Sequence, residues 1–267
     1  MAFVESLGRR IYYERRGDGP VVMFCHGAGS NAATWWQQLP DFSRTHTCIT
    51  VDIRCFGRSV APLDEFVMDV LAQDMVAVLD RENVARATLV GQSLGGMIGL
   101  RMALVHPSRL AAFVACDSSL AINHPVLLES IARRQITHQA VTIEERSLGA
   151  WFVAQHPDKA ALYAQINHFN PSAYAIAGSD WGAALAGLHR PESLTPVDAL
   201  REVGCPTLLL VGREDPIVPV AVMQEVSDLI DGSELVVVDQ AGHSAYFEKP
   251  AEFNRQVLDF IARRAAY

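Results

Sequence analysis

The chain has 267 residues, half of them hydrophobic, and its 22 Lys plus Arg stand against 30 Asp plus Glu for a net charge of −8. This balance excludes a nucleic-acid binder: phosphate recognition needs clustered cations, and the basic residues gather no further than the pairs Arg9-Arg10, Arg15-Arg16, Arg133-Arg134 and Arg263-Arg264. Apolar residues spread through the whole chain exclude a disordered or fibrous protein, and no run approaches the roughly 18 apolar residues of a membrane span.

In chain order, 2–6 and 9–15 flank Leu7-Gly8 and predict an opening hairpin. Short apolar runs bounded by turn residues follow at 20–25, 47–52, 87–91, 110–116, 206–211 and 234–238. They alternate with helical segments at 65–81, 94–105 and 250–264, the last opening with Pro250 at an allowed first-turn position. Strands alternating with helices in this way predict an α/β fold around a largely parallel, buried sheet. Residues 121–195 break the rhythm, being rich in Ala and aromatics without a strand-like run. The reading is therefore a core of 1–120 and 196–267, interrupted by a helical insertion at 121–195. The aromatic residues of the insertion, Trp151, Phe152, Tyr163, Phe169, Tyr174 and Trp181, suit either a pocket lining or packing between helices.

The first residues lack a cationic segment followed by an apolar run and a cleavage site, so no secretory signal is expected. Five cysteines, Cys25, Cys48, Cys55, Cys116 and Cys205, form an odd set without a C-x-x-C pair. They predict buried free thiols in a reducing cytoplasm rather than disulfides, a zinc site or a thiol nucleophile.

Chemistry enters at Gly91-Gln92-Ser93-Leu94-Gly95, which joins a strand to a helix. A G-x-S-x-G corner of this kind exposes a serine on strained backbone, and glycines on either side let strand and helix pass closely. Considered alone, Ser93 could equally be a helix N-cap. Two later loops favour the nucleophile. A strand ending at Gly212 leads to Arg213-Glu214-Asp215-Pro216, and a strand ending near Val238 leads to Ala241-Gly242-His243. The order serine, acid, histidine is the one expected when all three project from one edge of a parallel sheet. Asp117, which also follows a strand, is the alternative acid. Upstream, His26-Gly27-Ala28-Gly29-Ser30 ends a strand and can offer N–H groups to a developing oxyanion.

These segments, with Asp52-Ile53-Arg54-Cys55-Phe56-Gly57, resemble the α/β-hydrolase fold superfamily from end to end, and the Trp35-Trp36-Gln37-Gln38-Leu39-Pro40 stretch is closest to its enol-lactonases and perhydrolase-like esterases. The resemblance implies a mostly parallel sheet with helices on both faces and a helical cap over 121–195. It implies Ser93 as nucleophile, His243 as base and acid, Asp215 as the orienting acid, and the N–H groups of Ala28 and Leu94 as the oxyanion hole. It further implies hydrolysis of a small to medium carboxylic ester or lactone, with a small-molecule substrate, no cofactor and no metal. Trp151, His168 and Arg190 are the candidate substrate contacts. His26 reads as structural, and Asp52 with Arg54 as a brace of the turn. Cys55 stands where many relatives have glycine. Oligomeric state is open, a homo-oligomer included.

Three rival readings exist. Carbon-carbon bond hydrolases of ring-cleavage pathways keep the serine, and Arg190 could hold a carboxylate for them. Those enzymes usually have Asn before the serine and Trp four residues after the histidine, where this chain has Gln92 and Phe247. Gly27-x-Gly29-x-x-Ala32 with Asp52 loosely fits a dinucleotide-binding oxidoreductase, but leaves Ser93, Asp215 and His243 unexplained. A non-catalytic small-molecule sensor on the same fold is the third.

Overall fold

Leu7 and Gly8 both have positive φ, 47° and 74°, the geometry of a type I′ turn whose twist suits a hairpin. The turn pairs β1 (Ala2–Ser6) antiparallel with β2 (Arg9–Arg16). Six further strands follow: β3 (Val21–Cys25), β4 (Thr47–Val51), β5 (Ala87–Gln92), β6 (Leu110–Cys116), β7 (Thr207–Gly212) and β8 (Glu234–Val238). The sheet order is β1-β2-β4-β3-β5-β6-β7-β8, antiparallel through the β2–β4 pair and parallel from β4 to β8. The computed structural model describes residues 1–137, 142–168 and 181–267, with the side chains of 134–137, 168, 181 and 182 excepted.

Among the described residues the α-helices longer than four residues are α1 (Met68–Arg81), α2 (Leu94–Val105), α3 (Pro125–Thr137), α4 (Ile143–Ser147), α5 (Ala150–Gln155), α6 (Pro157–His168), α7 (Trp181–Gly187), α8 (Val220–Leu229) and α9 (Pro250–Arg264). Strand residues alternate between two cores because successive side chains point to opposite faces. Val21, Met23, Leu89, Phe113 and Leu209 join one core, which α1, α2 and α8 cover. Val22, Phe24, Val90, Val114 and Leu208 join the other, covered by Phe253, Val257 and Phe260 of α9. Burial on both faces explains why the central strands read as unbroken apolar runs.

The helix expected at 65–81 begins at Met68, after a short 3₁₀ turn at Leu63–Glu65, because Phe66 at φ −80°, ψ 72° breaks the helical backbone. Helix α8 was not anticipated; Pro216 and Pro219 punctuate its approach as they would a loop. Between β6 and β7 the regular elements among the described residues are all helices, and one isolated bridge, Ile122 to Thr195, ties the two ends of residues 121–195 together. Phe169 and Tyr174 lie outside the described residues, as do the side chains of His168 and Trp181.

All five cysteines are free, and four are buried. Burial pushes the thiols of Cys25, Cys48 and Cys55 up to about 12, so they remain protonated and unreactive. Among the described residues no helix is long and apolar enough to cross a membrane.

Asp52 and Arg54 do brace the turn after β4. Asp52 accepts the N–H of Ala32 at 2.7 Å and of Arg58 at 2.8 Å. The fully buried Arg54 guanidinium grips both oxygens of Asp74, at 2.8 and 2.7 Å, and reaches Glu65 and the Ser6 carbonyl. Cys55 adopts φ 72°, a left-handed backbone that suits glycine better than a residue with a side chain. Removing one partner of a buried pair strands the other charge. Asp74→Ala should therefore cost about 3–5 kcal/mol, measured as a lower urea midpoint at unchanged m-value.

Candidate active site

The parallel order sets the loops after β3, β5, β6, β7 and β8 side by side at the C-terminal edge of the sheet. Because β3 pairs with β5, with Cys25 opposite Gly91, the loop from His26 lies against the corner at Ser93. A Cβ on Gly27 would sit 3.3 Å from the Ser93 Cβ. Loops after β6, β7 and β8 complete the row, as expected where ligands bind in open α/β sheets.

Ser93 occupies φ 49°, ψ −108°, a sparsely populated backbone that persists only when its neighbours enforce it. Its N–H donates to the Cys116 carbonyl at 2.9 Å, and its carbonyl accepts the Ser118 hydroxyl at 2.7 Å. The flanking glycines are steric requirements. A Cβ on Gly95 would overlap the Cys25 carbonyl, and one on Gly91 the backbone of Gly95 and Gly96.

The structure brings Ser93, His243 and Asp215 together. His243 Nε2 lies 3.0 Å from Ser93 Oγ, and His243 Nδ1 lies 2.8 Å from Asp215 Oδ2. The other Asp215 oxygen accepts the N–H groups of Ile217 and Val218 at 2.8 and 3.1 Å, which fixes the carboxylate. Both side chains are almost fully buried. Adjacent Glu214 is exposed and turns toward the insertion, with Oε2 3.5 Å from the Trp151 N–H.

Asp117, the alternative acid, does not contact His243. One of its oxygens accepts the Gly212 N–H and the other the Ala245 N–H, both at 2.8 Å. Burial, reinforced by the charge of Asp215, raises its carboxyl well above the usual carboxylate range.

Neither Ala28 N–H nor Leu94 N–H finds an acceptor among the described residues, leaving two donors beside Ser93. His26, wholly buried, is structural as expected. It donates from Nδ1 to the Gly27 carbonyl at 2.7 Å and accepts the Ile53 N–H at Nε2, 3.0 Å away. Burial lowers its pKa, consistent with this neutral tautomer. Trp151 packs partly buried against the core that α9 covers, with the Lys249 ammonium 4.1 Å from its ring centroid. Arg190 is exposed on an open groove with Met97, Leu120 and Leu188, whose lining does not include Ser93 or His243. The side chain of His168 lies outside the described residues.

Several site residues escaped the sequence reading. Gln92 donates its amide to the His243 carbonyl at 2.7 Å, and Glu248 accepts the N–H groups of Gly242 and Ser244 at 2.8 and 3.2 Å. Gln37 and Gln38 hold the carbonyls of Phe247 and Tyr246. Gln92 carried a signal in its place beside the serine, and Gln37 and Gln38 in the stretch that carries the resemblance; Glu248 carried none. Among the described residues no group of three or more His, Cys, Asp or Glu is arranged to hold a metal ion.

The glycine packing gives a direct test. Gly95→Ala must displace backbone and should cost at least about 2 kcal/mol in urea unfolding, whereas Gly187→Ala, with open space around it, should change stability by less than about 1 kcal/mol.

Residues 20–250 match the model of the alpha/beta hydrolase fold family. A putative carbamate hydrolase RutD from Variovorax paradoxus is 30% identical, covering 96% of this chain and 97% of its own. A 2-hydroxy-6-oxo-6-(2'-aminophenyl)hexa-2,4-dienoic acid hydrolase from Metapseudomonas resinovorans is 26% identical over 98% and 91%. The solved structure of Est816, described as an N-acyl homoserine lactone degrading enzyme, superposes with a TM-score of 0.81 at 30% identity, covering 97% of this chain and 100% of that one. With the sheet order, the serine corner and these similarities together, this chain belongs to the alpha/beta hydrolase fold family and is a hydrolase.

Proposed function

We propose that the enzyme cleaves a small to medium carboxylic ester or lactone through an acyl-enzyme on Ser93. The unbroken chain from Asp215 Oδ2 through both imidazole nitrogens to Ser93 Oγ carries this reading. Asp215 accepts the Nδ1–H of His243, so Nε2 is left as the acceptor for the serine proton. Ser93 Oγ attacks the carbonyl carbon while that proton passes to Nε2. The oxyanion meets the N–H groups of Ala28 and Leu94, donors fixed in place before charge develops. Collapse expels the leaving oxygen, which takes the proton from Nε2. A water then gives its proton to Nε2 and attacks the acyl carbon, releasing the acid and restoring Ser93. For a lactone, alcohol and acid leave as one hydroxy acid.

In this reading residues 121–195 act as a helical cap that shapes the pocket, and the free buried thiols suit a reducing cytoplasm. A small-molecule substrate suffices, with neither cofactor nor metal in the steps.

The relatives span carbamate, carbon-carbon and lactone chemistry, so the residues must arbitrate. Ketonising a dienol requires polar groups around a second carbonyl. Here the Gln92 amide is held by the His243 carbonyl, and Phe247 is buried against Phe152 and Tyr163. Arg190 lies on a groove that Ser93 does not line. These placements favour an ester or lactone over a ring-cleavage diketone.

A fluorophosphonate should add once, on the peptide holding Ser93, and Ser93→Ala should lose on the order of 10³-fold or more in turnover. Labelling elsewhere, or an active alanine variant, would overturn the mechanism. Asp215→Asn should cost roughly 10⁴-fold by leaving the imidazole in the wrong tautomer, and Asp117→Asn far less. Across p-nitrophenyl esters, lactones and vinylogous diketones, the best ester or lactone should exceed any diketone in kcat/KM by at least about tenfold. A faster diketone, abolished by Arg190→Ala, would assign carbon-carbon cleavage instead.

A further inference from the structure

Glu248 is a buried carboxyl that none of the steps above uses. It ends the single helical turn Ala245–Glu248 and is 4% exposed. Its Oε1 accepts the N–H groups of Gly242 and Ser244, the residues on either side of His243, at 2.8 and 3.2 Å. Its Oε2 accepts the N–H of Gly149 at 2.7 Å, where the insertion enters α5. One side chain thus joins the histidine loop to the insertion.

The glycines explain why a carboxylate is needed. A Cβ on Gly242 would overlap the Gly149 nitrogen and sit 2.6 Å from the Leu148 carbonyl carbon, so the two segments meet backbone to backbone. A Cβ on Gly149 would lie 3.1 Å from the Gly242 nitrogen. Backbones this close exclude water, and buried N–H groups without an acceptor are costly. Charge-assisted bonds to a single anion satisfy three of them at once. A second tie runs from the Tyr163 hydroxyl of α6 to the Ser244 hydroxyl at 2.9 Å.

We propose that Glu248 is a positioning residue whose carboxylate couples docking of the insertion at Gly149 to placement of the His243 imidazole. The proposal rests on the acyl-enzyme reading, in which His243 is the base. A shift of about 1 Å in a reacting group can cost about 10²-fold in rate, and the loop of Gly242 and Ser244 carries that group. Burial, with Asp215 adding to it, pushes the Glu248 carboxyl up to about 7 against the pull of its three N–H donors. Assays at about pH 8.5 therefore compare the ionised wild type with a neutral amide.

Glu248→Gln keeps the shape but has one acceptor oxygen, so its NH₂ must face either Gly149 or the histidine loop. At pH 8.5 with p-nitrophenyl esters, and with sites counted by fluorophosphonate adducts on Ser93, kcat per site should fall by at least about 30-fold while KM stays within about threefold. Hydrogen exchange should rise together in the peptides covering 148–156 and 240–249. A kcat per site within about twofold of wild type, whatever the change in Tm, would overturn the proposal, as would exchange rising in one peptide alone. Should Glu248→Gln fail to fold, Glu248→Asp, which keeps the charge but shortens the reach, must show the same selective loss in kcat; an unchanged kcat overturns the proposal. An active Ser93→Ala would instead remove the acyl-enzyme reading itself, so the two failures are distinguishable.

Discussion

The backbone corner at Ser93 is the constraint on which the rest of the site depends. A residue held at φ 49°, ψ −108° carries a cost of order 1–3 kcal/mol that local sequence does not relieve. The neighbouring strands supply the compensation. The end of β6 takes the Ser93 N–H, Ser118 takes its carbonyl, and the Gly95 N–H reaches across to the His26 carbonyl beyond β3. Gly95 lets the corner close on the Cys25 backbone, and Gly96 leaves room for the Ser118 side chain. The corner is therefore a property of three adjacent strands rather than of one pentapeptide.

Three buried carboxyl groups surround the histidine loop, and their hydrogen-bond partners give them different work. Asp215 has one oxygen on the imidazole and the other on two backbone N–H groups. Both oxygens of Asp117 are taken by backbone, which sews the end of β7 to the turn after His243. Glu248 closes the loop from the other side and reaches the insertion. Backbone N–H groups are what make several acids tolerable in so small a volume, since each desolvated oxygen needs a donor.

Both cores serve this edge. Strand side chains lock the sheet between helices on its two faces, while Trp35 packs at tilted angles against Phe24, Tyr246 and Phe253 and so anchors the turn after His243. The Trp35 to Pro40 stretch, which in the sequence carries only a resemblance, thus has a mechanical reason: Gln37 and Gln38 donate to the carbonyls of Phe247 and Tyr246, which follow the histidine.

The sequence by itself determined the strands to within a residue or so, the hairpin, the α/β class and the serine corner. Those features follow from local causes: apolar runs buried on both faces, turn residues with positive φ, and glycines at a crossing. It left helix α8 unseen, because prolines on its approach read as loop, and it placed the start of α1 early, because nothing local marks the break at Phe66. It favoured Asp215 over Asp117 only through the resemblance of its loop, and the contact of Asp215 with His243 is visible only in the tertiary structure. The choice turns on whether Gly212 and Ala245, distant in the chain, present N–H groups to Asp117. The same holds for Gln92 and Glu248, whose partners lie across the fold at His243 and Gly149; contacts between distant segments leave no periodicity in the chain, so packing alone reveals them.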